Sequence, residues 1–134
     1  MKMLCWNIRG LSTPLKQKTL LKLSRDQDCS LVFILETKIN EDKVVYIRDL
    51  YFRGWKFHHN IANHPNGRIL CLWNPDLLSF HLTEVTQQTI SGSVKELSTN
   101  KCFSVTAVYG LYNIRDRRPM WDSLISLARD IYEP

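Results

Sequence analysis

Residues 31–38 read Leu31-Val32-Phe33-Ile34-Leu35-Glu36-Thr37-Lys38. Five apolar residues in succession, rich in β-formers, predict a strand buried on both faces. The run stops at a carboxylate, Glu36, with Thr37 and Lys38 beside it. A strand that meets its first charge at its carboxyl end places an acid at the rim of an α/β sheet, where ligands bind. Alone, such an acid is only the strand's exit into solvent. Here two other predicted strands also end in polar, reactive residues.

Upstream, residues 2–7 are apolar enough for a short strand. Arg9-Gly10 turns the chain, and Ser12-Thr13-Pro14 starts a helix with a hydroxyl cap and a proline in the first turn. The helix runs over 15–25, with Leu15, Leu20 and Leu23 on one side and Lys16, Lys18 and Lys22 on the other. Strand, helix and strand in so short a span make a parallel, right-handed βαβ unit. Parallel strands end at the same sheet edge, so Asn7 and Glu36 are expected side by side.

Downstream, Asn40-Glu41-Asp42 supplies a cap and early acids, and Val44, Ile47, Leu50 and Tyr51 keep helical spacing up to Gly54. Residues 55–61 and 69–73 read as strands joined around His64-Pro65-Asn66-Gly67, since Asn-Gly is a strong hairpin signal. Leu78, Phe80 and Leu82 alternate until the phase slips near Glu84-Val85, which predicts a bulge. Residues 90–97 form a weaker strand containing Gly92. Over 102–109, Phe103, Val105, Ala107 and Tyr109 share one face and Cys102, Ser104, Thr106 and Val108 the other. Neither face is charged, as in a sheet covered on both sides. A last helix follows Arg118-Pro119, with Trp121, Leu124, Leu127, Ala128 and Ile131 as its stripe. These elements predict an α/β fold with one mixed-sheet layer, three helices on one face, and the other face abnormally apolar. An apolar face of that kind predicts self-association.

The bulk properties bound the rest. At 134 residues the chain makes one domain. Its 18 basic and 13 acidic residues leave a charge of +5, which suits a phosphate-bearing partner. Cys5, Cys29, Cys71 and Cys102 are scattered, with no Cys-x-x-Cys pair, which argues against zinc and for small buried thiols in a reducing compartment. No stretch resembles a signal peptide or approaches membrane-spanning length. An intracellular protein, nuclear or cytoplasmic and without a membrane segment, is expected. His58, His59, His64 and His81 are expected in loops or on the surface.

Four stretches carry the possible chemistry: Cys5-Trp6-Asn7-Ile8-Arg9-Gly10, Glu36-Thr37-Lys38, residues 67–73, and Val108-Tyr109-Gly110 with Asn113. In this order they resemble the endonuclease/exonuclease/phosphatase superfamily, nearest to the apurinic-type endonuclease domain of plant LINE-type retrotransposon polyproteins. The phrases that carry the resemblance are Leu-Cys-Trp-Asn-Ile-Arg-Gly-Leu, the strand ending in Glu-Thr-Lys, and Ala-Val-Tyr-Gly followed by Arg-Asp-Arg-Arg-Pro-Met-Trp. The resemblance implies that Glu36 ligates Mg²⁺ and that Asn7 helps hold the metal and the phosphate. It also implies that the Tyr109 hydroxyl contacts the scissile phosphate. Asn113 would match a polar residue after that tyrosine, although Tyr112 stands where a shorter spacing would put it. Gly67-Arg68 replaces the Gly-Gly of many relatives.

The family also carries a later Asp-x-Asn pair and a final Ser-Asp-His stretch. Neither occurs among the 134 residues. The resemblance therefore implies the N-terminal half, residues 1–134, of a four-layer α/β/β/α sandwich, a Mg²⁺-dependent phosphodiesterase without its general base. DNA and the missing C-terminal half are then the implied partners. A second reading, from another class, is a non-catalytic basic module. It would bind nucleic acid or protein through the uncovered sheet and through Arg115, Arg117 and Arg118.

Overall fold

A computed structural model describes residues 1–63 and 68–131. The elements in order are β1 (Met3–Asn7), α1 (Pro14–Asp26), β2 (Leu31–Leu35), α2 (Glu41–Tyr51), β3 (Lys56–His59), a 3₁₀ turn (Ile61–Asn63), β4 (Ile69–Trp73), β5 (Leu78–Val85), β6 (Thr89–Glu96), β7 (Cys102–Val108) and α3 (Ile114–Asp130). The fold is α/β. The turn expected at residues 64–67 lies outside the described residues, but β3 and β4 pair antiparallel as expected.

The apolar strand β2 sits inside a mixed sheet of order β1-β2-β4-β3. It runs parallel to β1, with Asn7 opposite Leu35, and antiparallel to β4. Alternation along β2 and β4 divides the interior in two. Val32, Ile34, Leu70 and Leu72 face α1 and α2, where Leu20, Val44 and Ile47 complete one core. Leu31, Phe33, Ile69, Cys71 and Trp73 face the other way.

Their cover corrects the expected layering. The first sheet does carry helices α1 and α2 on one face, but β5, β6 and β7 form a second, antiparallel sheet that folds across its other face. Leu78, Phe80, Ile90, Val94 and Ala107 pack there against β2 and β4, and Phe103 and Val105 join them. The uncharged inner face of β7 is thus covered by the chain itself, with Phe103, Val105 and Ala107 packed into the second core. Alternation alone could not assign β5–β7 to a separate sheet, because period 2 is the same whichever sheet a strand joins. The predicted bulge is present as a register shift between Leu82 and Glu84. Gly92 is required at its position: a Cβ there would meet the Phe80 ring and the His81 carbonyl oxygen at 2.6 Å.

Helix α3 lies on the outer side of the second sheet, where Ser123 Oγ donates to Glu84 Oε2 and Gln88 Nε2 donates to the Asp116 carbonyl. It begins five residues before Pro119 rather than after it. The Asn113 side chain accepts from the Arg115 N–H at 2.9 Å and starts the helix there. Of the expected stripe, Leu124 and Leu127 are half-buried, whereas Trp121, Ala128 and Ile131 are exposed. In α1, Leu15 is 75% exposed and Gln17 is 1% exposed. The Gln17 amide reaches the Leu11 carbonyl at 3.0 Å, so a polar residue occupies the inner face because it has a partner there. Cys29 and Cys71 are buried, but Cys5 and Cys102 are exposed, since they lie on the outermost strands β1 and β7. His58 is not a surface residue: it is half-buried against Trp73 and Phe80, and this burial lowers its pKa.

Candidate active site

The parallel pairing of β1 and β2 continues beyond both strands. Ile8 N–H donates to the Leu35 carbonyl at 3.1 Å, Gly10 N–H to Glu36 at 2.7 Å, and Leu11 N–H to Thr37 at 2.8 Å. Within this ladder Glu36 (φ 57°) and Lys38 (φ 52°) both take the left-handed conformation, as do Arg9 (φ 52°) and Gly10 (φ 99°). For a residue with a Cβ, that conformation costs on the order of 1–2 kcal/mol. The ladder, with Thr37 buried between the two, holds the turn against that cost. As a result the side chains of Glu36 and Lys38 meet: Lys38 Nζ is 3.0 Å from Glu36 Oε1.

Two more side chains converge on the same carboxylate. Asn7, from the end of β1, and Tyr109, just past β7, both face Glu36 and act on its charge. Lys38 first, then the polar Tyr109 and Asn7 side chains, hold the Glu36 carboxyl below the ordinary carboxylate range despite some desolvation. Burial, and next the Glu36 charge, push the Tyr109 phenol up, so it remains a donor at neutral pH. The Arg68 guanidinium lies over the Tyr109 ring, 5.1 Å from its centroid. One carboxylate is thus faced by an ammonium, a phenol and a carboxamide, with a guanidinium behind the phenol.

Two buried amides hold this constellation. Asn60, fully buried, accepts from Arg68 N–H at 3.2 Å and Ile69 N–H at 2.8 Å. Its Nδ2 donates to the carbonyls of Thr86 and Gln87 across the two sheets. Gln88 continues the line: its carbonyl accepts from Tyr109 N–H at 2.8 Å, and its Oε1 from Leu111 N–H at 2.7 Å. The chain segments bearing Arg68 and Tyr109 are therefore tied to one turn, between β5 and β6.

Of the residues singled out by sequence, Asn7, Glu36 and Tyr109 come together. Asn113, Arg115, Arg117 and Arg118 stand apart, on the loop and first turns of α3. Arg115 and Arg118 are exposed, and Arg117 is half-buried. Lys38, Arg68, Asn60 and Gln88 were not assigned a role from the sequence. Lys38 could have been, because it stands two residues from Glu36; the buried amides carry no local signal. Among the described residues no group of three His, Cys, Asp or Glu side chains could hold a metal ion. Glu36 and Asn7 offer one carboxylate and one amide oxygen, hard donors that suit Mg²⁺ when phosphate and water complete its shell.

No protein-family model matches the sequence, and no curated protein does. Solved structures do match. D. rerio TDP2, solved in complex with a single-strand DNA product, superposes with a TM-score of 0.63 at 11% identity. The match covers 96% of this chain and 54% of TDP2. The catalytic domain of human Nocturnin, solved with a bound sulfate anion, gives a TM-score of 0.57 at 12% identity, over 92% of this chain and 57% of that one. The fold is that of endonuclease/exonuclease/phosphatase proteins. The chain spans about half the length of these two neighbours. No helix among the described residues is long and apolar enough to cross a membrane.

Proposed function

We propose that the chain is a nuclease-like domain whose Asn7–Glu36–Tyr109 cluster binds a phosphodiester together with Mg²⁺. The observation that carries this reading is the convergence of Asn7, Lys38 and Tyr109 on the Glu36 carboxylate. A strand-exit acid has no need of a buried scaffold aligning its partners. In this reading Glu36 and Asn7 would hold the ion, which when bound would act as a Lewis acid toward the phosphate. Tyr109 would donate a hydrogen bond from its hydroxyl to a phosphate oxygen, and Lys38 and Arg68 would supply the positive field.

The retrotransposon ancestry rests on the sequence phrases around Asn7, Glu36 and Tyr109. The 134 residues hold no Asp-x-Asn or Ser-Asp-His, and so no positioned base of the kind that family uses. Loss of such a base typically costs about 10²–10⁴-fold in rate. We therefore read residues 1–134 as corresponding to the N-terminal half of the domain, a stretch that does not cleave DNA by itself. Plasmid nicking with Mg²⁺ or Mn²⁺ tests this, using the wild type and Glu36→Ala, each alone and with a polypeptide carrying the second half. Glu36-dependent nicking only in the presence of that half supports the reading. Glu36-dependent nicking by the chain alone overturns the claim of incompetence.

The basic-module reading keeps one supporting observation, the exposure of Arg115 and Arg118 on the first turns of α3. Its other support, an uncovered sheet face, is gone because the second sheet covers it. Salt-dependent duplex binding by Glu36→Ala, abolished in the triple Ala variant of Arg115, Arg117 and Arg118, would favour that module.

A further inference from the structure

The loop that leaves Tyr109 presents apolar side chains that nothing among the described residues covers. Tyr112 is 101% exposed and Ile114 77% exposed. Lone exposed aromatics are ordinary on protein surfaces. This one differs in how it is held. Gln88, 4% exposed, grips the loop on both sides: Oε1 accepts from Leu111 N–H at 2.7 Å, and Nε2 donates to the Asp116 carbonyl at 2.9 Å. Asn113 spends its carbonyl oxygen on the Arg115 N–H, so its role is to fix the loop's exit into α3. The Arg117 stem lies over Gly110, where an added Cβ would come within 3.2 Å of Cδ. Its Nε is buried with no hydrogen-bond partner among the described residues. Tyr112, Asn113, Ile114 and Arg117 together line an open cavity of about 520 Å³.

An aromatic ring on a braced backbone, an aliphatic neighbour and an arginine lining the same cavity suit a flat apolar ring attached to an anion. Three residues of chain span at most about 10 Å, which places Tyr112 within about three stacked nucleotides of Tyr109. We propose that Tyr112, Ile114 and Arg117 form a subsite for an unpaired nucleotide of a single strand. The base stacks on Tyr112, and Arg117 takes a phosphate of the same strand. The subsite deepens the nuclease-like reading and rests on it. Stacking on such a ring is tolerant of base identity, so the subsite sets strandedness rather than sequence. Because Gln88 already holds the backbone on both sides of the ring, little backbone freedom is lost on binding.

The test is fluorescence anisotropy with a labelled twelve-residue oligothymidylate and a matched oligomer of abasic spacers. Wild type binds the oligothymidylate more tightly than the spacer. Tyr112→Ala, at an exposed position that folding does not depend on, loses about 5- to 150-fold on the oligothymidylate and little on the spacer. Tyr112→Trp retains the preference. Arg117→Gln weakens both oligomers and lowers the salt slope by about one phosphate contact. Wild type that binds neither oligomer overturns the nuclease-like reading and the subsite with it. Wild-type binding unchanged by Tyr112→Ala, or weakened equally on both oligomers, overturns the subsite alone.

Discussion

Lys38 Nζ stands 3.0 Å from Glu36 Oε1, so the carboxylate at the end of β2 already holds a cation of the protein's own. Both residues reach this contact from left-handed backbone, which makes the pair a built feature of the turn. The Glu36 carboxyl is held below the ordinary carboxylate range, first by Lys38 and then by Tyr109 and Asn7. A depressed native pKa stabilises the fold above the unfolded value, about 4.3, and that contribution is lost as pH falls through the native value. A carboxyl-detected NMR titration should give Glu36 a midpoint below the ordinary range. In Lys38→Ala that midpoint should move up. An unchanged midpoint would mean that the ion pair does not persist in solution.

Gly92 faces the Phe80 ring and the His81 carbonyl. Gly92→Ala forces a methyl to 2.6 Å from both, and the carbonyl is backbone that cannot swing aside. Overpacking of this kind costs roughly 1–3 kcal/mol. Urea unfolding should show the loss. Adding Phe80→Leu should recover only part of it, because the clash with His81 remains.

Asn60 satisfies two N–H groups and two carbonyls that have little access to water. Asn60→Ala should cost roughly 2–4 kcal/mol, since stranded buried groups cost about 1–3 kcal/mol each and partial relaxation recovers some. The same variant should shift the NMR signals of Tyr109, because the turn from Thr86 to Gln88 links the two. Asn60→Leu, similar in volume, should do no better. If either variant is as stable as the wild type, the amide is not the strut described above.

Thiol accessibility separates the four cysteines. Cys5 and Cys102 are exposed, while Cys29 and Cys71 are buried. Burial also pushes the Cys71 thiol far up, leaving essentially no thiolate at neutral pH. Native protein should release two equivalents with an aromatic disulfide reagent, and denatured protein four. Mass spectrometry should find the two fast labels on Cys5 and Cys102.

The sequence already disclosed the parts of the fold that short-range patterning governs. The βαβ unit was legible because Thr13-Pro14 and the apolar run from Leu31 to Leu35 leave few alternatives, and their parallel pairing sets Asn7 beside Glu36. The partition into two sheets was not legible. It depends on which side of β4 the chain turns toward after Asn74, and no local residue type encodes that. The same holds in α1, where Gln17 takes an inner position that its hydrophobicity would deny it, because Leu11 offers a carbonyl. For the site, the strand-end residues were visible as chemistry. Asn60 and Gln88 were not, since a buried amide looks like any polar residue until its partners, 26 and 23 positions away, are folded against it.

The interleaving of β4 between two interiors has a consequence for how the molecule comes apart. Leu70 and Leu72 serve the helical side and Ile69, Cys71 and Trp73 the other, so neither half can melt and leave its neighbour intact. Cooperativity is thereby concentrated in β2 and β4. Their amides should exchange with solvent only through global opening, while α3, with Met120 as its one buried residue, lets its amides exchange through local fraying. The strand that ends in Glu36 is thus anchored in the least yielding part of the chain, and the loop bearing Tyr112 leads into the most yielding.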